Sequence, residues 1–189
     1  ENVTLPDGLQ SIGVGAFRNC SALSKIVIPD TVATIADYAF SGCSDMKNVT
    51  IGDSVASLGM YAFSGCTELN RIIFGSNVAS LDRQALYNCS ALRDMIFKGN
   101  APSLGRSVFS GIPSSCTVHV SNSSTGWGVD IPGAWQGFAI EYFRPADFTV
   151  EDGVLTTVVL NDDTSIVVPE SVTTIGSQAF KECGAVTSI

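Results

Sequence analysis

Apolar residues recur along the first half of the chain at a fixed interval, which four cysteines make visible. Cys20, Cys43, Cys66 and Cys89 are separated by 23 residues each time. In one turn of this pattern the apolar positions are Val49, Ile51, Val55, Leu58, Ala62, Phe63, Cys66 and Leu69. A constant long interval indicates one structural unit repeated, because a single turn cannot bury its apolar side and neighbouring turns bury it for one another.

Each turn divides into two extended pieces and one tight turn. Residues 25–28 alternate in polarity and include β-branched side chains, so we predict a short strand there, with a second extended piece at 32–35. Ala39, Phe40 and Cys43 follow at the spacing of one helical face, which predicts a short helical or 3-10 turn opposite the strands. A turn of this length reaches about 75 Å when extended, enough to circle a narrow core and rise by about 4.8 Å. The pattern therefore predicts a β-rich solenoid.

The repeat resembles the BspA-type leucine-rich repeat, which is found in bacterial and some protist surface proteins. The matching residues are Cys20-Ser21-Ala22-Leu23-Ser24-Lys25-Ile26-Val27-Ile28-Pro29, continuing to Ala39-Phe40 and Cys43. The resemblance covers residues 1 to about 110 and recurs near 166–189. It implies a right-handed solenoid with a parallel sheet on its inner face. It also implies a cell-surface or secreted protein that binds other macromolecules, often in host adhesion, and no catalytic residues.

The repeat pattern stops after Phe109, and Cys116 lies out of register with the cysteine column. Residues 116–120 alternate like a strand, and the polar run at 121–126 predicts a loop. Several aromatic or apolar residues follow, namely Trp127, Trp135, Phe138, Ile140 and Tyr142. Because the end of a solenoid exposes an apolar cross-section, we expect these side chains to cover it as an aromatic cap.

We therefore predict three segments. Residues 1–110 form the leucine-rich repeat array, and residues 111–146 form its C-terminal cap. Residues 147–189 comprise a β-hairpin N-terminal cap, with a tight turn at Asp152-Gly153, and the first repeat of a second, truncated array. The repeat pattern begins and ends part-way through a turn, so we expect the chain to be a fragment of a longer protein.

Composition excludes some classes of partner, and the spacing of the cysteines indicates whether they form disulfides. The net charge of −8 and the pI near 4.4 argue against nucleic acid and anionic membranes as partners. No apolar run approaches the roughly 20 residues that span a bilayer, so we expect no membrane insertion. Cysteines stacked at one strand spacing lie farther apart than the Cβ separation of about 3.8 Å that a disulfide prefers, so we expect buried free thiols.

No pattern in the sequence carries catalytic or metal chemistry. His119 is the single histidine, and no nucleophile-elbow motif accompanies it. Asp152, Asp162 and Asp163 lack the spacing of a calcium-binding loop and suit hairpin turns instead. We therefore predict that the chain is not an enzyme and uses no cofactor and no metal.

The outward face of the predicted strands carries basic residues beside an apolar row. Candidate partner-binding residues, which we name the strand-face strip, are Lys25, Val27, Lys47, Thr50, Arg71, Ile73, Arg93 and Ile96. Its four cations belong to a chain with only ten lysines and arginines in total. Basic side chains flanking an apolar row suit an acidic peptide, glycan or protein loop. The same residue types also simply favour soluble strands, so a surface without a ligand stays open.

Two functions from different classes follow. The first is a non-enzymatic, extracellular or cell-surface protein whose array binds a protein or glycan ligand, with host extracellular molecules among the candidates. The second is an architectural spacer that holds another domain and has no ligand of its own. An isolated array should bind in the first case and be inert in the second. End-to-end association through exposed strand edges is a third hypothesis, although we expect a monomer.

Overall fold

The computed structural model describes residues 3–121, 123–142, 146–151, 154–160 and 174–175. It divides into two units, Glu1–Phe143 and Arg144–Ile189. The described part of the first unit consists of strands and turns, with no helix. In chain order, its strands are β1 (Ser11–Ile12), β2 (Lys25–Val27), β3 (Thr34–Ile35), β4 (Asn48–Thr50), β5 (Ser57–Leu58), β6 (Arg71–Phe74), β7 (Ser80–Leu81), β8 (Asp94–Phe97), β9 (Ser103–Leu104), β10 (Thr117–Val120), β11 (Gly133–Trp135) and β12 (Phe138–Tyr142).

These strands form two sheets in which each repeat contributes one strand to each sheet. The five-stranded sheet has the order β1-β3-β5-β7-β9, and the seven-stranded sheet has the order β2-β4-β6-β8-β10-β12-β11. All neighbours are parallel except β11 and β12. Pairs such as Ser11 with Thr34 and Arg71 with Asp94 lie opposite each other. Residues one repeat interval apart in the sequence therefore lie opposite each other in neighbouring strands. The predicted β-solenoid with parallel sheets is confirmed.

Alternation along each strand places the core between the sheets. In β6, Ile72 and Phe74 are buried, whereas Arg71 and Ile73 are partly exposed. The phenylalanine column stacks from turn to turn, with the ring centroids of Phe40 and Phe63 5.0 Å apart and nearly parallel. Burying one such side chain stabilises a fold by about 1.5–3 kcal/mol, so each turn depends on the turns beside it.

The predicted helical turn is wrong, because the amide groups of this segment alternate between two kinds of partner. The N–H of Phe40 donates to the carbonyl of Ala62 in the next turn, and the N–H of Ser41 donates to the carbonyl of Tyr38. A helix would need every N–H to bond within its own turn. The segment is instead a run of β-turns, with positive φ at Tyr38 and Gly42, as turns of type II require at their third residue.

Aromatic side chains close the C-terminal end of the array, as predicted. Trp127, Trp135 and Phe138 are buried. The rings of Trp127 and Trp135 meet edge to face, with their centroids 4.9 Å apart. Both rings also contact Phe97, the last residue of β8. Tyr142 differs from the expectation because it lies exposed. The cap strands β10 and β12 continue the seven-stranded sheet, so the array and its cap share one hydrogen-bonded layer.

The five described cysteines are free thiols. Cys43, Cys66 and Cys89 are buried in one column, and each Sγ donates to a phenylalanine carbonyl of the preceding turn, as Cys89 does to Phe63 at 3.3 Å. Burial raises the pKa of the Cys43 thiol to about 11 and those of Cys89 and Cys116 to about 12, and it also raises the pKa of Cys66. Cys20, in the first turn, is exposed and so departs from the expected buried column.

The second unit begins with the expected hairpin. Strand β13 (Ala146–Glu151) pairs antiparallel with β14 (Val154–Leu160), and β15 (Thr174–Ile175) pairs parallel with β14. The turn at Asp152-Gly153 lies outside the described residues, as do Asp162, Asp163 and most of the predicted second array. The three predicted segment boundaries stay predictions.

Candidate binding face

The outward face of the seven-stranded sheet carries the strand-face strip. Val27, Thr50, Ile73 and Ile96 lie opposite one another across β2, β4, β6 and β8. The same row continues into the cap through His119 and Glu141. The apolar row predicted from the repeat is therefore one row of a surface that runs beyond the array.

The four strip cations do not share a single row. Lys25 and Arg71 belong to a second row that also contains Asn48 and Asp94. Lys47 and Arg93 directly precede β4 and β8 and therefore stand one position earlier. The basic residues thus alternate between two neighbouring rows on the same side of the apolar row.

The strip residues differ in the exposure of their side chains and in whether they form ion pairs. Lys25, Lys47 and Arg93 are exposed and make no ion pair with any residue that the structure describes. Val27 is 52% exposed, but Ile96 is only 5% exposed, so its side chain presents almost no surface. The accessible part of the strip therefore lies over β2, β4 and β6, with Arg93 at its border.

Arg71 is engaged by a group of charged side chains that sequence reasoning did not find. Its Nη2 lies 3.3 Å from Oδ2 of Asp94. The other oxygen of Asp94 contacts Nε2 of His119 at 3.2 Å, and Nδ1 of His119 contacts Oε1 of Glu141, also at 3.2 Å. We name Arg71, Asp94, His119 and Glu141 the junction network, because it crosses from two array strands to two cap strands.

One member of the junction network could have been found from the repeat. The interval of the array places Asp94 in the row of Lys25 and Arg71, where opposite charges attract. No such signal marks His119 and Glu141, because the cap does not follow the interval. Their contacts depend on the register that β10 and β12 adopt in the sheet.

The charged side chains of the junction network are arranged as ion pairs. Both ring nitrogens of His119 face carboxylates, which leaves the imidazole without a hydroxyl or thiol partner of the kind that nucleophilic catalysis needs. Among the described residues, no three histidine, cysteine, aspartate or glutamate side chains are arranged to hold a metal ion. The same part of the chain contains no helix long and apolar enough to cross a membrane.

Comparisons with known proteins agree with the repeat. The family model described as "BspA type Leucine rich repeat region" matches residues 1–123 and 161–189 in six copies. No curated protein sequence matches the chain.

Three solved structures are similar to the chain. The pneumococcal vaccine antigen PcpA is 13% identical, with a TM-score of 0.46, over 76% of this chain and 42% of that one. A leucine rich cell surface protein from Faecalibacterium prausnitzii is 18% identical, with a TM-score of 0.44, over 94% and 66% of the two chains. A leucine-rich repeat protein from Bacteroides ovatus is 21% identical, with a TM-score of 0.30, over 75% and 51%. The chain thus spans less than two thirds of the length of each.

Proposed function

Because the chain belongs to the BspA-type leucine-rich repeat family, we propose that it is a non-enzymatic surface protein whose array binds a macromolecule through the strand-face strip. The observation that carries this proposal is the set of three exposed cations without an ion pair among the described residues, Lys25, Lys47 and Arg93. Lys25 lies in the same strand as the exposed Val27, and Lys47 and Arg93 border the same face. The net charge of the chain is −8.

The sign of these charges favours an anionic partner. Free cations at the rim of an apolar patch steer and orient a ligand of opposite charge, whereas the acidic remainder of the surface repels it. Orientation by such charges contributes more to specificity and to association rate than to affinity. The partner would be a protein loop or a glycan that carries carboxylate groups.

The sheet also sets the direction of the ligand. The apolar row crosses successive strands at about 4.8 Å intervals, so an extended ligand lying on it would run across the strands. Solenoids commonly bind along extended surfaces of this kind. The row from Val27 to Ile73 covers three strands, and Glu141 at the far end of its continuation would repel an acidic group.

The alternative is an architectural spacer without a ligand. The junction network favours it, because the ion pair with Asp94 engages Arg71, and Ile96 is out of reach of any partner. On this view the side chains of the face serve only to hold the sheet and its cap together.

Retention of the purified chain on immobilised extracellular matrix from cultured epithelial cells separates the two. The proposal predicts saturable retention that weakens as salt rises, because the cations of the strip are exposed and screened by ions. A chain that stays fully in the unbound fraction at low salt supports the spacer and contradicts the proposal.

A further inference from the structure

The turn side of the array carries a second surface, built on two tyrosines with an unusual backbone. Tyr38 and Tyr61 both have a φ of 57°. A positive φ is uncommon for residues other than glycine. The other positive-φ position of the same turns is filled by Gly42 and Gly65. The sequence thus uses glycine at one of the two positions and places a large aromatic side chain at the other.

The two tyrosine rings are the centre of a four-layer stack. Their centroids lie 4.9 Å apart and their planes differ by 7°. The guanidinium carbon of Arg18 lies 5.1 Å from the centroid of Tyr38, and that of Arg83 lies 6.0 Å from the centroid of Tyr61. We name Arg18, Tyr38, Tyr61 and Arg83 the turn-face ladder.

Neighbouring groups hold the ladder in place. Oε1 of Gln84 accepts the hydroxyl of Tyr61 at 2.6 Å and Nε of Arg83 at 3.1 Å. At the other end, Gly15 occupies the position of Tyr38 one turn earlier, and a Cβ added there would meet the Cβ of Arg18 at 3.7 Å. Because Gly15 has no side chain, it leaves this layer of the stack empty. The side chain of Arg18 occupies the space instead.

The stack decides what kind of ligand the ladder can take. Each tyrosine ring stacks on the other tyrosine and also has a guanidinium carbon 5.1 or 6.0 Å from its centroid, so the stack leaves little ring face for a sugar. Arg18 and Arg83 make no ion pair with any described residue. The carboxylates of Asp37 and Asp82 accept hydrogen bonds from the backbone instead. Asp37 accepts from the N–H of Met60, and Asp82 accepts from the N–H of Arg83. The groups left for a ligand are guanidinium N–H edges, which pair with carboxylates.

We propose that the turn-face ladder is a docking site for an extended acidic peptide segment. Arg18 and Arg83 lie three turns apart, which is about 14 Å at one strand spacing per turn. Two carboxylates at positions i and i+4 of an extended peptide are separated by about 13 Å and point to the same side. Met60 and Tyr87, 38% and 40% exposed on the same side of the solenoid, suit an apolar residue between the two acids. The cation–aromatic stack fixes both guanidinium groups before the peptide arrives.

The probe is the peptide Glu-Ser-Leu-Ser-Glu, blocked at both ends and titrated into the isotope-labelled chain at low salt while amide chemical shifts are recorded. The expected result is a saturable change at the amides around the ladder. The double variant Arg18→Gln with Arg83→Gln should weaken binding about tenfold. The matched double variant Lys98→Gln with Arg106→Gln removes two exposed cations outside both the ladder and the strand-face strip, and it should bind as the unmodified chain does.

Further measurements distinguish binding at the ladder from a nonspecific attraction between opposite charges. Equal loss in both double variants, or binding of the Gln-Ser-Leu-Ser-Gln peptide, would overturn the proposal. Heparin that binds at the ladder while the peptide does not would overturn it in favour of an anionic glycan. In Tyr61→Gly the backbone is relaxed and the ring is gone, so the chain should fold but bind the peptide more weakly. Unchanged affinity in that folded variant would show that the tyrosines are only structural.

Discussion

The imidazole of His119 lies 3.2 Å from the carboxylate of Asp94, across the boundary between the repeat array and its cap. The same carboxylate holds Arg71 of the preceding turn. Asp94 therefore sits at the centre of the junction network and fixes side chains on both sides of that boundary. A cap that ended the array by apolar contact alone would need no such pairing.

Removing the charge of Asp94 should weaken the junction. Asp94→Asn removes the negative charge and one of the two acceptor oxygens that face Arg71 and His119, and we expect the free energy of unfolding to fall by about 1 kcal/mol, measured by urea denaturation. Glu68→Gln, at an exposed position of the array, is the matched control and should stay within about 0.5 kcal/mol of the unmodified chain. Equal stability of Asp94→Asn and the control would show that the network contributes nothing.

The buried thiol column should make the fold sensitive to alkaline pH. Burial raises the pKa of Cys89 from 9.0 to about 12, so the folded state keeps the thiol proton after the unfolded state has lost it. The contribution of the thiol is fully present below about pH 9 and is lost as pH rises toward about 12, at up to about 1.4 kcal/mol per pH unit.

Cys89→Ala is the variant that isolates this effect. Its free energy of unfolding, measured from about pH 8 to about pH 11, should fall less steeply than that of the unmodified chain, because the two chains differ only in the Cys89 thiol. Parallel curves would mean that the Cys89 thiol ionises as easily in the folded chain as in the unfolded one.

The approach of successive turns leaves no room for a side chain at Gly75. A Cβ added there would overlap the carbonyl oxygen of Gly52 and lie 2.8 Å from the Cα of Asp53. Gly75→Ala should therefore destabilise the array by about 1–3 kcal/mol, as measured by its thermal or urea midpoint. Gly13→Ala is the control, because nothing lies within 4 Å of its added Cβ. A Gly75→Ala variant as stable as this control would contradict the observed turn spacing.

The repeat interval predicted most of the fold because stacking imposes the same environment on every turn. A buried Phe40 requires a buried Phe63 above it, so the apolar columns reveal the parallel register directly. The helical turn was predicted wrongly since two successive β-turns bury residues at the same spacing as one helical turn. What distinguishes them is the partner of each amide, such as Ala62 for Phe40, and a single sequence does not contain that information.

The candidate sites were predictable only where they follow the interval. The strip rows of Val27 and Lys25 could be placed by counting residues. The junction network could not, because His119 and Glu141 belong to cap strands with their own spacing. The turn-face ladder was not predicted, because Tyr38, Tyr61 and Arg83 do not repeat in every turn. The positive φ values of Tyr38 and Tyr61 follow from turn geometry rather than residue type.

The most direct test of the proposed binding face is charge reversal within the strip. Lys25→Glu with Lys47→Glu is compared with Lys98→Glu and Arg106→Glu, a pair of exposed cations outside the strip and the ladder that changes the net charge equally. Retention on epithelial extracellular matrix is measured after circular dichroism has shown that both variants are folded. The account predicts that the strip variant loses at least about tenfold in affinity and the control stays near the unmodified chain. A folded strip variant that binds as tightly as the unmodified chain would contradict it.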